Sequence, residues 1–416
     1  MSKKSIQEYR YRKDKPKCLK FLHNKSKNTQ KSYYQAIRKY EEFHDTTIEE
    51  LIKEALEEQS QQVPPHLLKI IDRIEEFQNH LIEENYVHGT IKNHITRIKT
   101  TYTRNRVTIP YIEELNPLQT KRREVIEYKD IITKEEIKQA LNHMRLPAQA
   151  RTLTMVQGGL SNKECDELTL EAFINETYKY HQETNLEKAL RWLSDPNNPI
   201  IWVTRITRVK TGKPYYCIIG SEAVNKIAES KLYEMVLPKN KDGLSNKLLD
   251  MNIQSFGKVC RDVNRKCGFG FVAEESRLRP HMLRKYHGTH IKGSFMTYEE
   301  HSIISNADID ELHGRGKTHV QDTYIKTNPL QQKLLYAKVM NNLSLFHEYD
   351  YSITSDDVIV SLRNPIEENK KLRNEVRNLS KSLQKKKNAS DKVEKLREEL
   401  GDDGFKELIN EILSVS

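Results

Sequence analysis

Arg279-Pro280-His281-Met282-Leu283-Arg284, followed by Leu312-His313-Gly314-Arg315 and then by Tyr324, is the part of this 416-residue sequence whose reading decides the rest. A histidine and an arginine separated by two residues lie on one side of a helical turn. Both therefore face one ligand group while Met282 and Leu283 pack inward. Forty residues after Arg284, Tyr324 sits in a polar Asp-Thr-Tyr-Ile-Lys setting and offers a hydroxyl nucleophile. These are the parts that phosphoryl transfer to a protein side chain requires: cations around the charged oxygens, a proton-transfer group and an attacking oxygen. Arginine suits the first task because its planar fork stays protonated and grips two oxygens together. Arg284 is the candidate for that role. His281 is the candidate for a hydrogen bond to the phosphate or a proton exchange with the nucleophile.

Composition bounds this reading. The length allows two or three domains, each with its own core. Lys and Arg outnumber Asp and Glu by 69 to 59, a formal charge of +10. Such an excess suits a polyanionic partner, and equally a merely soluble protein. No apolar run approaches the roughly 20 residues needed to cross a bilayer, and the first residues have no apolar core for a secretion signal. A membrane role is thus not expected, and an intracellular protein is. Cys18, Cys165, Cys217, Cys260 and Cys267 are scattered and lack the paired spacing of zinc ribbons, so they read as reduced thiols and no metal site is expected.

Residues 1–24 carry many cations and few hydrophobes, a basic arm that either tracks a polyanion or is simply solvated. From Asn28 the pattern turns helical, with Tyr33, Ile37 and Tyr40 on one face and Phe43 close by. Acidic, glutamine-rich residues 49–62 end at Pro64-Pro65. Leu67, Ile70, Ile71, Ile74, Phe77 and Leu81 then recur at helical intervals, as do Ile91, Ile95, Ile98 and Tyr102. Residues 25–115 accordingly read as a helical domain. Lys31, Lys92, Arg97 and Lys99 are its candidate nucleic-acid contacts, against the alternative of a solvated basic face.

Residues 116–131 are polar and charged, a linker by composition. Thr133 with Glu136 forms a capping box ahead of Ile137, Leu141 and Met144, which starts a helix. An apolar helix around Leu153, Met155 and Val156 is broken at Gly158-Gly159. Ile200-Ile201-Trp202-Val203 and Tyr215-Tyr216-Cys217-Ile218-Ile219 are strand-like, and Arg208 to Pro214 between them is a turn rich in cations. Residues 132–350 thus predict a mainly helical domain with a small antiparallel sheet. Beyond Pro365, Leu372, Val376, Leu379 and Leu383 alternate steps of four and three, the spacing of a coiled-coil seam. Residues 365–416 read as a self-association helix, with a solitary charged helix as the alternative.

The order Glu164, Lys210, His281, Arg284, Gly314-Arg315 and Tyr324 resembles the tyrosine recombinase, or phage integrase, family. That family's second signature box is His-x-x-Arg, and its nucleophile is a tyrosine near the end of the catalytic domain. The resemblance covers roughly residues 25–345. It extends weakly to Ser26, Thr29 and Tyr33, which look like the opening of the family's core-binding domain. It implies that Tyr324 forms a 3′-phosphotyrosyl link to double-stranded DNA and that Lys210, on a turn between two strands, donates a proton to the departing 5′-oxygen. Lys213 competes for the lysine's role and is otherwise a DNA contact. Arg315, nine residues before Tyr324, stands where the family usually has His or Trp, an exchange associated with archaeal and archaeal-viral members. His313 is the alternative if the loop is shifted.

The departure from the pattern lies upstream. Gly159-Leu160-Ser161-Asn162-Lys163-Glu164 with Leu168-Thr169 resembles the family's first box, but Ser161 holds the place of its arginine while Glu164 matches its acidic residue. Arg151, Lys163, Arg205 and Arg208 are the cations available to fill the gap. The segment after the tyrosine, from Pro329 to Leu345, is amphipathic, either docking on a neighbouring subunit as in the wider family or closing its own core. The resemblance implies a cofactor-independent integrase of a virus or mobile element, acting as a tetramer on DNA in the cytoplasm, nucleoid-associated, or in the host cytoplasm if viral. A catalytically silent DNA-binding homologue, favoured by Ser161, and a monomeric type IB topoisomerase are the competing expectations.

Overall fold

A computed structural model describes residues 16–122, 124–237, 244–293, 306–314 and 328–363, together with Gly401 and Gly404. Residues 1–15 of the expected basic arm, Arg315, Tyr324 and the seam Leu372 to Leu383 lie outside the described residues. The rest of that arm is not free: Lys17–Leu22 form a short 3-10 helix whose Leu19 and Leu22 are buried in the first core. The chain divides into two compact units, Met1–Ile126 and Glu127–Ser416, so that residues 127–131, counted above as linker, belong to the second.

The first unit is helical: α1 (Lys27–His44), α2 (Ile48–Ser60), α3 (Lys69–Glu83) and α4 (His88–Arg104). Ser26 caps α1 by accepting the Thr29 N–H, and Asp45 ends it in the left-handed region. Helix α2 was not expected from residues 49–62. Its start is a Thr47–Glu50 capping box, and it buries a narrow face of Ile48, Leu51, Ile52 and Ala55 beneath an acidic surface. Ile70, Ile74, Phe77 and Leu81 of α3 meet Ile91, Ile95, Ile98 and Tyr102 of α4 in one core, each such burial stabilising by about 1.5–3 kcal/mol. Tyr40 joins them through edge-on rings with Phe77 and a 3.2 Å hydroxyl contact to Tyr102. Leu67, read above as part of the α3 stripe, is instead 62% exposed, because Pro64-Pro65 directs it into a separate short turn.

The second unit is mainly helical with small antiparallel sheets. Helices α5 (Lys134–Leu141), α6 (Leu146–Gly158), α7 (Leu170–His181) and α8 (Leu186–Ser194) lead into the hairpin β1 (Trp202–Thr207) and β2 (Pro214–Ile219). The register runs from Trp202 opposite Ile219 to Thr207 opposite Pro214. The expected Thr133–Glu136 box caps α5. After the hairpin come α9 (Ser221–Met235), α10 (Ile253–Cys267), β3 (Phe271–Val272) with β4 (Glu275–Ser276), α11 (Pro280–Gly293), α12 (Asn306–Leu312) and α13 (Pro329–Leu343). Helix α6 is the buried axis, packed against α9 and α11. It stops at Gly159, whose φ of +63° suits a residue without a side chain.

Helix α13 closes its own core. Tyr336, Ala337, Val339, Met340 and Leu343 are buried, and Tyr336 Oη donates to Gln157 O at 2.8 Å. A further hairpin, β5 (Tyr349–Ile353) and β6 (Val358–Leu362), follows where no strand was expected. Two carboxylates anchor this end. Glu222 accepts the backbone N–H groups of Leu345, Phe346 and His347 at 2.7, 2.6 and 2.9 Å. Asp357 in the hairpin accepts from Lys333 at 2.5 Å, from Tyr180 at 2.5 Å and from Lys179. Cys165, Cys217 and Cys260 are buried free thiols.

Candidate active site

Arg284 is set by the helical period of α11, which buries Met282 and Leu283 completely and turns His281 and Arg284 to the other side. Only 9% of Arg284 is exposed. Its Nη1 donates to Glu164 Oε2 at 2.6 Å and its Nη2 to the His313 carbonyl at 2.8 Å. The same Glu164 oxygen accepts the Ser161 N–H at 2.8 Å, and Ser161 Oγ accepts the Glu164 N–H at 3.3 Å. Ser161 therefore caps the turn that holds Glu164, and Glu164 holds the guanidinium.

Arg284 and His281 open onto a cavity of about 670 Å³, shared with Tyr128, Lys285, Thr289, Lys292, Asp310 and His313. Lys285 and Lys292 went unnoticed in the sequence, although 281, 284, 285, 288 and 292 trace one helical face. Lys285 and Lys292 add two cations beside an Arg284 whose charge is already paired with Glu164, and Asp310 is the one carboxylate among the lining residues, a balance that still suits an anion. Behind the cavity, His287 Nδ1 and His313 Nε2 lie 2.8 Å apart, so one ring donates and the other accepts.

Burial, reinforced by the nearby Arg284 charge, pushes His287 down to about 3. His281 is lowered by partial desolvation of its ring and by Lys285, Arg279 and Arg284; His290 is lowered chiefly by burial. In the unfolded chain these rings titrate near 6.5. Above that pH both states are neutral and nothing is lost. As pH falls below it, the unfolded chain takes up protons that the folded protein excludes, and stability declines by about 1.4 kcal/mol per pH unit for each excluded proton. Thermal melts should show a lower Tm at about pH 5 than at about pH 7.5, a window above most carboxylate titration. Equal values would show that the rings are already charged in the folded protein.

Arg151 does not fill the gap at Ser161. Its side chain is fully buried and donates to Asn162 Oδ1 and Asp166 Oδ1, each at 2.8 Å, as well as to the carbonyls of Asn162 and Met251. Lys163 and Arg205 are exposed. Lys210 and Lys213 are exposed on the hairpin turn and do not line the cavity, but Arg208 at the start of that turn donates to Gly314 O at 2.7 Å. His313 is 2% exposed, its ring turned to His287 and its carbonyl to Arg284.

In the first unit Lys31 and Lys92 are exposed. Arg97 is partly buried, bonded to Asn93 O at 2.8 Å and lying 5.9 Å from the Tyr33 ring centroid, while Lys99 is partly buried and lowered by that burial. A cationic stripe not noticed in the sequence lies on α10, where Lys258, Arg261 and Arg265 are exposed at helical spacing beside Lys266.

No protein-family model matches the chain, and no curated protein does. Similar solved structures include XerH site-specific recombinase bound to its difH substrate, at 14% identity and a TM-score of 0.44, covering 80% of this chain and 83% of that one. The Tn1549 transposon integrase in complex with transposon right end DNA is similar at 15% identity and a TM-score of 0.44, covering 78% of this chain and 95% of that one. A lambda integrase dimer bound to a core site is similar at 13% and 0.42, with coverages of 78% and 95%. At such identities and TM-scores the likeness carries no inference about chemistry, which rests on the pocket's own residues.

Proposed function

We propose that this chain is a site-specific DNA recombinase of the tyrosine recombinase type, cutting and rejoining strands through a 3′-phosphotyrosyl link. The observation that carries the reading is Arg284, fixed by Glu164 and the His313 carbonyl at the wall of a cationic cavity that His281 shares. Two of its five N–H groups are used in anchoring, leaving others for the non-bridging oxygens of a scissile phosphate. The preset geometry means that no reorganisation is needed as negative charge develops on those oxygens.

In this reading the Tyr324 oxygen attacks phosphorus and the bond to the 5′-oxygen breaks. His281, kept neutral by its surroundings, accepts the phenolic proton, and Lys210 delivers one to the departing oxygen. Arg315 is a further donor to the phosphate. A 5′-hydroxyl from another strand reverses the step, and because the phosphotyrosyl bond stores the energy, no cofactor is consumed. Cations of the first unit, with Lys31 and Lys92 the most exposed of those assigned, and the α10 stripe neutralise backbone phosphates of double-stranded DNA. Assembly as a homotetramer, and service to an archaeal virus or mobile element, complete the proposal.

A nicked suicide substrate tests it, since loss of the strand end past the cut traps the covalent adduct. Wild-type protein should give a DNA-linked band in a denaturing gel, and Tyr324→Phe should lose it while still shifting the same DNA in a native gel. A covalent band that persists in the Phe variant would refute the assignment.

Ser161 favours a second reading, a DNA-binding homologue without cleavage. It caps the Glu164 turn where the family resemblance calls for an arginine, and Arg151 is sealed away. Loss of one preorganised donor costs about 10²–10³ in rate. The two readings separate on whether the wild-type adduct forms slowly or never.

A further inference from the structure

We infer that Arg208 is a positioning residue of the pocket, locking the His313–Gly314 turn together with Arg284. Arg208 Nη1 donates to the Gly314 carbonyl at 2.7 Å, and Arg284 Nη2 donates to the preceding carbonyl, that of His313, at 2.8 Å. Two guanidiniums from two different elements thus hold consecutive oxygens just past the C-terminal end of α12. That end carries the negative pole of the helix and carbonyls with no partner within it.

Both the guanidinium and the turn it holds are further constrained. Arg208 closes the β1–β2 turn, its N–H donating to Lys213 O at 2.8 Å and its carbonyl accepting the Gly212 N–H at 2.8 Å. Tyr215 on β2 supports the same turn through its ring, since a Cβ built on Gly314 would lie 2.5–2.8 Å from three ring carbons. Gly314 has a φ of +59°, a conformation that a side chain would strain. The turn is therefore pressed against the hairpin by a ring and bonded to it by a guanidinium.

Arg208 does not line the cavity, so it acts through the turn and not on the anion. The clamp ties the hairpin bearing Lys210 to the residue immediately before Arg315. It also shares the anchoring load with Arg284, which keeps that side chain's remaining donors aimed at the cavity. Where Ser161 supplies no cation, a second arginine that fixes the pocket wall compensates by geometry.

The catalytic arm of the test rests on the recombinase reading, and the structural arm does not. In the full-length protein, Arg208→Ala should speed hydrogen exchange of the His313 and Gly314 amides, now bonded to Ile309 O and Glu311 O, about 10-fold or more. At saturating suicide substrate, Arg208→Ala should lower the single-turnover cleavage rate by roughly 10–100-fold with the half-saturating DNA concentration unchanged. Arg208→Lys, which keeps one donor and the charge, should recover part of both and serves if the Ala variant folds poorly. Unchanged exchange would overturn the inference, and so would faster exchange with unaltered cleavage. If the wild-type protein forms no adduct, the recombinase reading fails and the exchange rates alone decide whether Arg208 holds the turn.

Discussion

Replacing Glu164 by Ala should lower the stability of the second unit by about 3–5 kcal/mol, because it strands a nearly buried guanidinium without its counter-charge. Arg284 and Glu164 have side-chain exposures of 10% and 4%, so water from the cavity replaces the lost interaction only in part. The Ser161 amide loses its acceptor at the same time. In a unit of this size the loss corresponds to a Tm decrease of about 10 °C. A second substitution makes the test specific. Arg284→Met in the Glu164→Ala background removes the orphaned charge and should return part of the stability, while DNA cleavage stays lost. Should Glu164→Ala melt like the wild type, the pair contributes nothing to folding and Glu164 has only an orienting role; should the double variant melt no higher than the single, the orphaned charge is not the cause of the loss.

The second large effect is expected at Gly159. A Cβ there would lie 2.5 Å from two ring atoms of His287 and 2.9 Å from His313, and the backbone already sits at φ +63°. Gly159→Ala should therefore cost about 2–5 kcal/mol, the sum of a left-handed residue and an overpacked core. Gly268, which ends α10, is the control. Its φ is +69°, but a Cβ at that position would meet nothing within 4 Å, so Gly268→Ala should cost only about 1–2 kcal/mol. Chemical denaturation of the two variants isolates the contribution of the histidine pair. Equal losses would mean that the rings move aside freely.

Local signals in the sequence carried much of this architecture. Thr133 and Glu136 form their capping box as expected, the Ile70 and Ile91 stripes become one core, and the cationic turn after Arg208 joins two paired strands. His281 and Arg284 share a cavity because their spacing matches a helical turn. What escaped was either masked by composition or fixed by distant contacts. Helix α2 hides a four-residue apolar face in an acidic stretch. Hairpin β5–β6 is short, and much of its sequence is exposed. Arg151 was a free cation until Asn162, Asp166 and Met251, the last of them 100 residues away, enclosed it. Arg208 finds its acceptor 106 residues along the chain, a pairing that no local pattern encodes.

The anchoring of α13 sets a limit on reach. With Tyr336 sunk in its own core and Glu222 fastening the chain beyond Leu343, the first residues of that helix are a fixed mooring. Tyr324 precedes Asn328, the cap of that helix, by four residues, a leash of about 14 Å when fully stretched. On the proposed reading, the phosphate that Tyr324 attacks, whether gripped by its own arginine or by that of another copy, must be delivered within that span plus the length of the tyrosine side chain.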